Sequence, residues 1–232
     1  MKNIFFGIAA LLCFVLPYSY ALSETIVIPY DKATIQEGID ISKDGDTILV
    51  APGLYVENID FLDRVITVTT MFGPDSTFLL PADPDTFMVT IGGANTEATE
   101  FSGFNVSGGG GNHTVFINNA SSPVIRDNVF CNNLVVDKLD IAVIACWDSV
   151  GVPTIERNIF YQNSGLACVW IRYGKGYVIN CTFNANVSAT MCNSEQATVL
   201  NCIITRSLGT ATDGSYAELD YVCYSDNHLD FG

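Results

Sequence analysis

Trp147, Asp148, Trp170, Arg172, Tyr173 and Lys175 are the side chains whose types and spacing could do chemistry in this chain. Trp147 lies six residues before Pro153, and Trp170 lies six before Gly176, which is equivalent to Pro153 in the next of a series of repeats. That spacing predicts that the chain's two tryptophans stack as neighbours, with Ile117 and Met191 in the same column on either side. Flat aromatic faces beside planar donors suit sugar rings, and Arg172, Tyr173 and Asp148 would supply the donors and acceptors. The same column reads equally well as an inward apolar ladder, because the alternation of side chains there is ambiguous.

Other reactive residues point to plainer roles. His113 and His228 are isolated, with no Ser or Cys partner suggested by spacing. Gly108-Gly109-Gly110-Gly111 lacks the Lys and the strand-to-helix setting of a phosphate loop and reads as a turn between coils. Asp83 and Asp85, flanked by Pro81 and Pro84, read as a rigid loop rather than as paired catalytic carboxylates. Beyond residue 21 there are seven cysteines, an odd number that cannot all pair internally. Their spacings have no zinc-ligand form, so no metal site is assigned; a Cys168–Cys192 disulfide is one option and stacked buried thiols at Cys181 and Cys202 another.

The elements that must position these residues announce themselves as a repeat. Pro123–Phe130, Pro153–Phe160, Tyr177–Phe183 and Thr198–Ile204 align on an anchoring column at 130, 160, 183 and 204, in steps of 30, 23 and 21 residues. Such a period defines a solenoid. Short β-branched runs at Val65–Thr70, Thr77–Leu80, Phe87–Ile91, Phe104–Val106, Val115–Ile117 and Ile141–Ala145 are separated by Gly, Pro, Asn and Asp, with no helices to carry crossovers. Together they predict an all-β, right-handed parallel β-helix, the hand following from the general rule for parallel crossovers. The aligned copies also predict an asparagine ladder through Asn128 and Asn158, and cross-rung charge pairs of Arg126 with Glu156 and Asp127 with Arg157. One segment, 33–42, has helical spacing, with Thr34 and Glu37 as a capping box and Ile35 and Ile39 on one face; it is expected to cap the first coil.

At the residue level, Ala33–Asp40 followed by Asp44–Ile59 resembles the opening of pectin lyase-like right-handed parallel β-helix proteins, and Thr198–Ile204 with Tyr221–Asn227 is similar to late coils of secreted bacterial β-helix repeat proteins. The resemblance covers nearly the whole chain after residue 21. It implies a carbohydrate context: a polysaccharide or cell-surface glycan as partner. It further implies three functional readings, namely a binding or display module, a polysaccharide lyase or related carbohydrate-active enzyme, and a structural or adhesive surface protein without catalysis. In the lyase reading Arg172 or Lys175 is the catalytic base and Asp148 helps to hold calcium; otherwise no cofactor is expected. Gly53–Asn58 is similar to an early segment of pectin methylesterases, but their later catalytic aspartate motifs and Arg-Trp motif have no counterpart here.

Residues 1–21 read as a signal peptide: Lys2, a 13-residue apolar run from Ile4 to Leu16, then Ser19-Tyr20-Ala21. The remainder, 22–232, is expected to be one β-helix domain, secreted to the exterior or the cell surface, with no membrane span. Its formal charge goes from −15 for the full chain to −16 without Lys2, which argues against nucleic acid as a partner. Asp226–Gly232 falls within a coil the repeat leaves unfinished, so a continuation or a partner is expected to cover the last coil.

Overall fold

The computed structural model of the chain describes residues 22–93, 98–119, 121–133, 141–147, 150–193, 196–207, 212–213 and 218–225; the signal-peptide segment, Asp148 and the 226–232 tail lie outside them. Among the described residues the strands form three all-parallel sheets of nine, eight and seven strands, wound into a β-solenoid of about seven turns. The expected parallel β-helix is therefore the observed architecture. Each coil contributes one strand per sheet, and period-2 alternation sends every second side chain inward onto its equivalent in the coils above and below.

Those inward columns make the core. In the eight-stranded sheet Leu79, Val106, Phe130, Phe160, Phe183 and Ile204 are in register and buried. The rings of Phe130, Phe160 and Phe183 stack with centroid spacings of 5.2 and 4.7 Å. Ile48, Val68, Phe101, Ile125, Ile155 and Val178 form the matching column in the nine-stranded sheet. Identical residues recur because a coil offers its neighbour a surface of the same shape, about 4.8 Å away.

The corners fix the coils in register. On the corner between the nine- and eight-stranded sheets, Asp127, Arg157, Asn180 and Asn201 adopt left-handed φ of 50 to 56°. The residue after each turns inward: Asn128, Asn158, Cys181 and Cys202, all buried. Asn158 Oδ1 accepts the backbone N–H of Asn128 at 3.0 Å and its Nδ2 at 3.2 Å, while its own Nδ2 donates to Ile125 O at 2.8 Å. Cys181 and Cys202 continue the column with thiols that donate to Ile179 O and Leu200 O at 3.4 and 3.3 Å. The expected ladder and thiol stack are both present.

A second, unanticipated ladder runs up the next corner through Asn133, Asn163 and Asn186, each following a left-handed residue at 132, 162 or 185. Asn163 Oδ1 accepts from Asn133 N and Nδ2 at 3.1 and 3.0 Å, and its Nδ2 donates to Phe130 O at 2.9 Å.

Helix Ile35–Ile41 covers the first coil as expected. Thr34 caps it by accepting Glu37 N–H at 3.1 Å, and Glu57 from the coil beneath accepts the N–H groups of Ile35 and Gln36, both at 3.1 Å. Gly38 suits the close approach, since a Cβ there would lie 3.0 Å from Ile28 Cδ1. Asp46, at the foot of the second strand, accepts Glu24 N–H at 2.8 Å and Lys43 N–H at 2.7 Å. These bonds, that from Glu24 foremost, hold its carboxyl below the ordinary 3.8.

Charge pairing at the corner departs in one respect from expectation. Asp127 and Arg157 do pair, at 2.8 Å, but Arg126 reaches back to Glu100 at 2.8 Å, and Glu156 is taken by Arg157 at 2.7 Å. Arg126 and Glu156 are in register, yet the long Arg side chain finds the Glu100 carboxylate, which also accepts from Ser102 Oγ at 2.6 Å, on the other neighbouring rung. Cys168 is buried, and the side chain of Cys192, its alternative disulfide partner, lies outside the described residues.

Two outcomes test this frame. Asn163→Ala strands several buried donors and acceptors and should lower unfolding stability by roughly 3 kcal/mol in denaturant titration, while Asn158→Cys, which only extends the thiol column, should cost less than Asn158→Ala. Asp46→Asn should lose about 1 kcal/mol at neutral pH. Because the folded-state pKa is depressed, that contribution is fully present above pH 3.8 and vanishes as the pH falls through the folded value, so mutant and wild type should converge in acid.

Candidate functional site

The seven-stranded sheet carries the candidate site on its outer face. Its inward column is Ile117, Cys146 and Ile171, paired in that order and buried. One residue earlier the outward column runs Phe116, Ala145, Trp170. The predicted column therefore has a different register: Trp170 lies over Ala145, Ile117 faces inward beside Cys146, and Met191 pairs with Val169. The physical reason is corner length. Eight residues separate Cys146 from Thr154, but only six separate Ile171 from its equivalent, Tyr177. A shift of two keeps the face, so both tryptophans still project outward.

The small side chains of Ala142, Ala145 and Ala167 form a buried floor on this outer face, and Phe116, Trp147, Leu166 and Trp170 lie on it half-buried. With a methyl between Phe116 and Trp170, room is left for Trp147, whose ring meets them edge to face at 5.6 and 5.7 Å. Phe87 stacks on Phe116 at 4.2 Å, and the buried His113 ring stands edge-on to Trp147 at 5.3 Å. Ala142 N–H donates to His113 Nδ1 at 3.0 Å, which places the imidazole proton on Nε2.

Arg172 closes the cluster. Its guanidinium carbon sits 4.6 Å from the Trp147 ring, 5.0 Å from Tyr173 and 5.2 Å from Trp170. Among the described residues it makes no ion pair, so the aromatic faces are its counter-charge. Among the described residues Trp147 Nε1 is buried without an acceptor. Chemically, the arrangement offers two indole platforms, an exposed Tyr173 hydroxyl group and guanidinium donors on one surface.

The structure thus brings Trp147, Trp170, Arg172 and Tyr173 together. Lys175 is not part of the cluster; it opens the strand Lys175–Ile179 in the nine-stranded sheet, and its ammonium makes no ion pair among the described residues. Asp148 lies outside those residues. Among them no group of three or more His, Cys, Asp or Glu side chains could hold a metal ion. Sequence reasoning missed Phe87, His113 and Phe116; the signal for Phe116 was the unbroken apolar run Val115-Phe116-Ile117, which leaves an apolar side chain outside as well as in.

Fold and site define a parallel β-solenoid repeat protein with an aromatic outer patch. Comparison with family models, with curated proteins and with solved structures finds no match for the chain.

If the rings hold the guanidinium, Arg172→Ala should reduce unfolding stability by about 1 kcal/mol and alter the near-ultraviolet circular dichroism of the tryptophan pair. An unchanged spectrum and midpoint would mean that the contact contributes nothing.

Proposed function

We propose that this chain is a secreted, pectin lyase-like β-helix protein that binds a polysaccharide along the outer face of its seven-stranded sheet, as a binding or surface-display module rather than a catalyst. The observation that carries this reading is the guanidinium of Arg172 lodged among Trp147, Trp170 and Tyr173 on an outward sheet face. Indole and phenol faces pack against the C–H faces of pyranose rings, and guanidinium and indole N–H groups donate to their oxygens. The leader-like segment 1–21 and the resemblance of 33–59 to the opening of this superfamily support export and a carbohydrate context.

A lyase reading draws less support, because Arg172 is engaged with three rings and Lys175 belongs to the next sheet.

The test is a glycan array with the chain lacking its first 21 residues, with and without calcium, followed by an ultraviolet assay for unsaturated products on any acidic glycan bound. Binding that falls roughly tenfold in Trp147→Ala and in Trp170→Ala, without turnover, is the expected result. Release of unsaturated product would replace the module by a lyase. No binding to any glycan would overturn the carbohydrate reading and leave the adhesive or structural one.

A further inference from the structure

The corner column that begins with Asn128 and Asn158 changes its chemistry at two consecutive coils, where it continues as Cys181 and Cys202. Val222, packed against the core and again preceded by a left-handed residue, follows in the next coil. As thiols the two cysteines hold the column weakly. Asn158 accepts Asn128 N–H at 3.0 Å and donates to Ile125 O at 2.8 Å. Cys181 instead reaches Ile155 O and Ile179 O at 3.5 and 3.4 Å, and Cys202 reaches Val178 O and Leu200 O at 3.6 and 3.3 Å. A thiol is a weak donor and a weak acceptor, so two adjacent rungs have given up the strong amide bonds that fix register on the rungs before them.

Their placement offers another bond. Asn180 and Asn201 precede the pair with φ of 55 and 50°. Asn180 N–H donates to Leu200 O, and Ile203 N–H to Cys181 O, both at 3.0 Å. The two coils therefore keep register through the corner, and Cys181 faces Cys202 just as Thr182 faces Ile203 one residue on. Residues opposed on neighbouring parallel strands have Cα atoms about 4.8 Å apart. A disulfide closes without backbone movement over roughly 4.4–6.8 Å. Both side chains are 1 % exposed and turn into the same interior.

Among the described residues no other two cysteines oppose one another in register. Cys131 lies over Tyr161, Cys146 over Ile171 and Cys223 over Ile203, while Cys168 precedes Val169, which pairs with Ile144. The two thiols of the column also act on each other's acidity. The neighbouring Cys181 thiol, foremost, holds Cys202 below the ordinary 9.0, whereas burial and then Cys202 push Cys181 up.

We infer that Cys181 and Cys202 are a disulfide site that staples two successive coils when the chain meets a small-molecule disulfide such as oxidised glutathione. Cys202, as thiolate, attacks one sulfur of the oxidant and releases the other as a thiolate; Cys181, giving up its proton, then attacks Cys202 Sγ and expels the second. In the protein two S–H bonds break and one S–S bond forms, and the two electrons pass to the oxidant, whose S–S bond becomes two thiols. Burial bars the oxidant from the closed coil, so the step belongs to folding or to an opening of these coils. The bond then takes over from the amides the fixing of register where the asparagine ladder stops. The inference is independent of glycan binding.

The test is a disulfide map. The full chain is unfolded, refolded in a mixture of oxidised and reduced glutathione, alkylated, and cleaved after Lys175, Glu195 and Arg206, which puts Cys202 on one fragment and Cys181 with Cys192 on another. The two fragments should remain joined in the wild type and in Cys192→Ser, and separate in Cys181→Ser. Oxidation should raise the melting temperature by several degrees in the wild type and leave that of Cys202→Ser unchanged. Alkylation of Cys202 in the refolded wild type would overturn the proposal. So would a link that is lost in Cys192→Ser, which would place the bond at Cys192. Should a variant at 181 or 202 misfold, the wild type and Cys192→Ser decide between them.

Discussion

Everything in this protein depends on one coil presenting to the next a surface that the next coil repeats. The parallel strands supply that surface only along their length; at the corners the backbone turns and its N–H and C=O groups leave the ladder. Two columns of inward amides recover them. Asn128 and Asn158 on one corner, and Asn133, Asn163 and Asn186 on the other, each accept a backbone N–H and donate to a carbonyl of the preceding coil, while Asn128, Asn133 and Asn163 also donate to the amide oxygen of the following one. A buried amide satisfied in this way tolerates no slip of register, because a displacement of one residue would leave every member unpaired at once. The stacked phenylalanines supply apolar burial, but apolar contact is non-directional and would accept several registers.

That constraint explains how the outer face acquires function. Since inward positions are committed to the stack, variation is confined to outward side chains and corner lengths. On the seven-stranded sheet an alanine floor lets three large aromatic rings settle on the outside, and a corner two residues shorter in the later coil offsets Trp170 from Trp147 so that the rings meet edge to face. The offset also brings Arg172 within reach of both.

How much of this could be read from the chain follows from the same division. The eight- and nine-stranded sheets were legible because the segments around Phe130, Phe160 and Phe183 carry matching residues at matching distances from an inward asparagine or cysteine. The seven-stranded sheet was not. Its inward residues, Ile117, Cys146 and Ile171, do not resemble one another, and the corners leading out of it differ in length, so alignment from the following repeat misplaced the tryptophans by two residues. The ladder through Asn133, Asn163 and Asn186 was hidden because each follows a different residue, Asn132, Gln162 or Ala185, though all three share a left-handed backbone.

The sulfur end of the first asparagine column has a further consequence. Burial pushes the thiols of Cys146 and Cys181 well above the range in which they ionise, and Cys168 and Cys202 are likewise buried. Only a thiolate attacks an alkylating reagent readily. Cys223, exposed on the outer surface, is open to such a reagent from the start, whereas the interior thiols respond only when their own coil parts from its neighbours. The chain thus contains a graded set of chemical clocks, each timing the opening of the rung in which it sits.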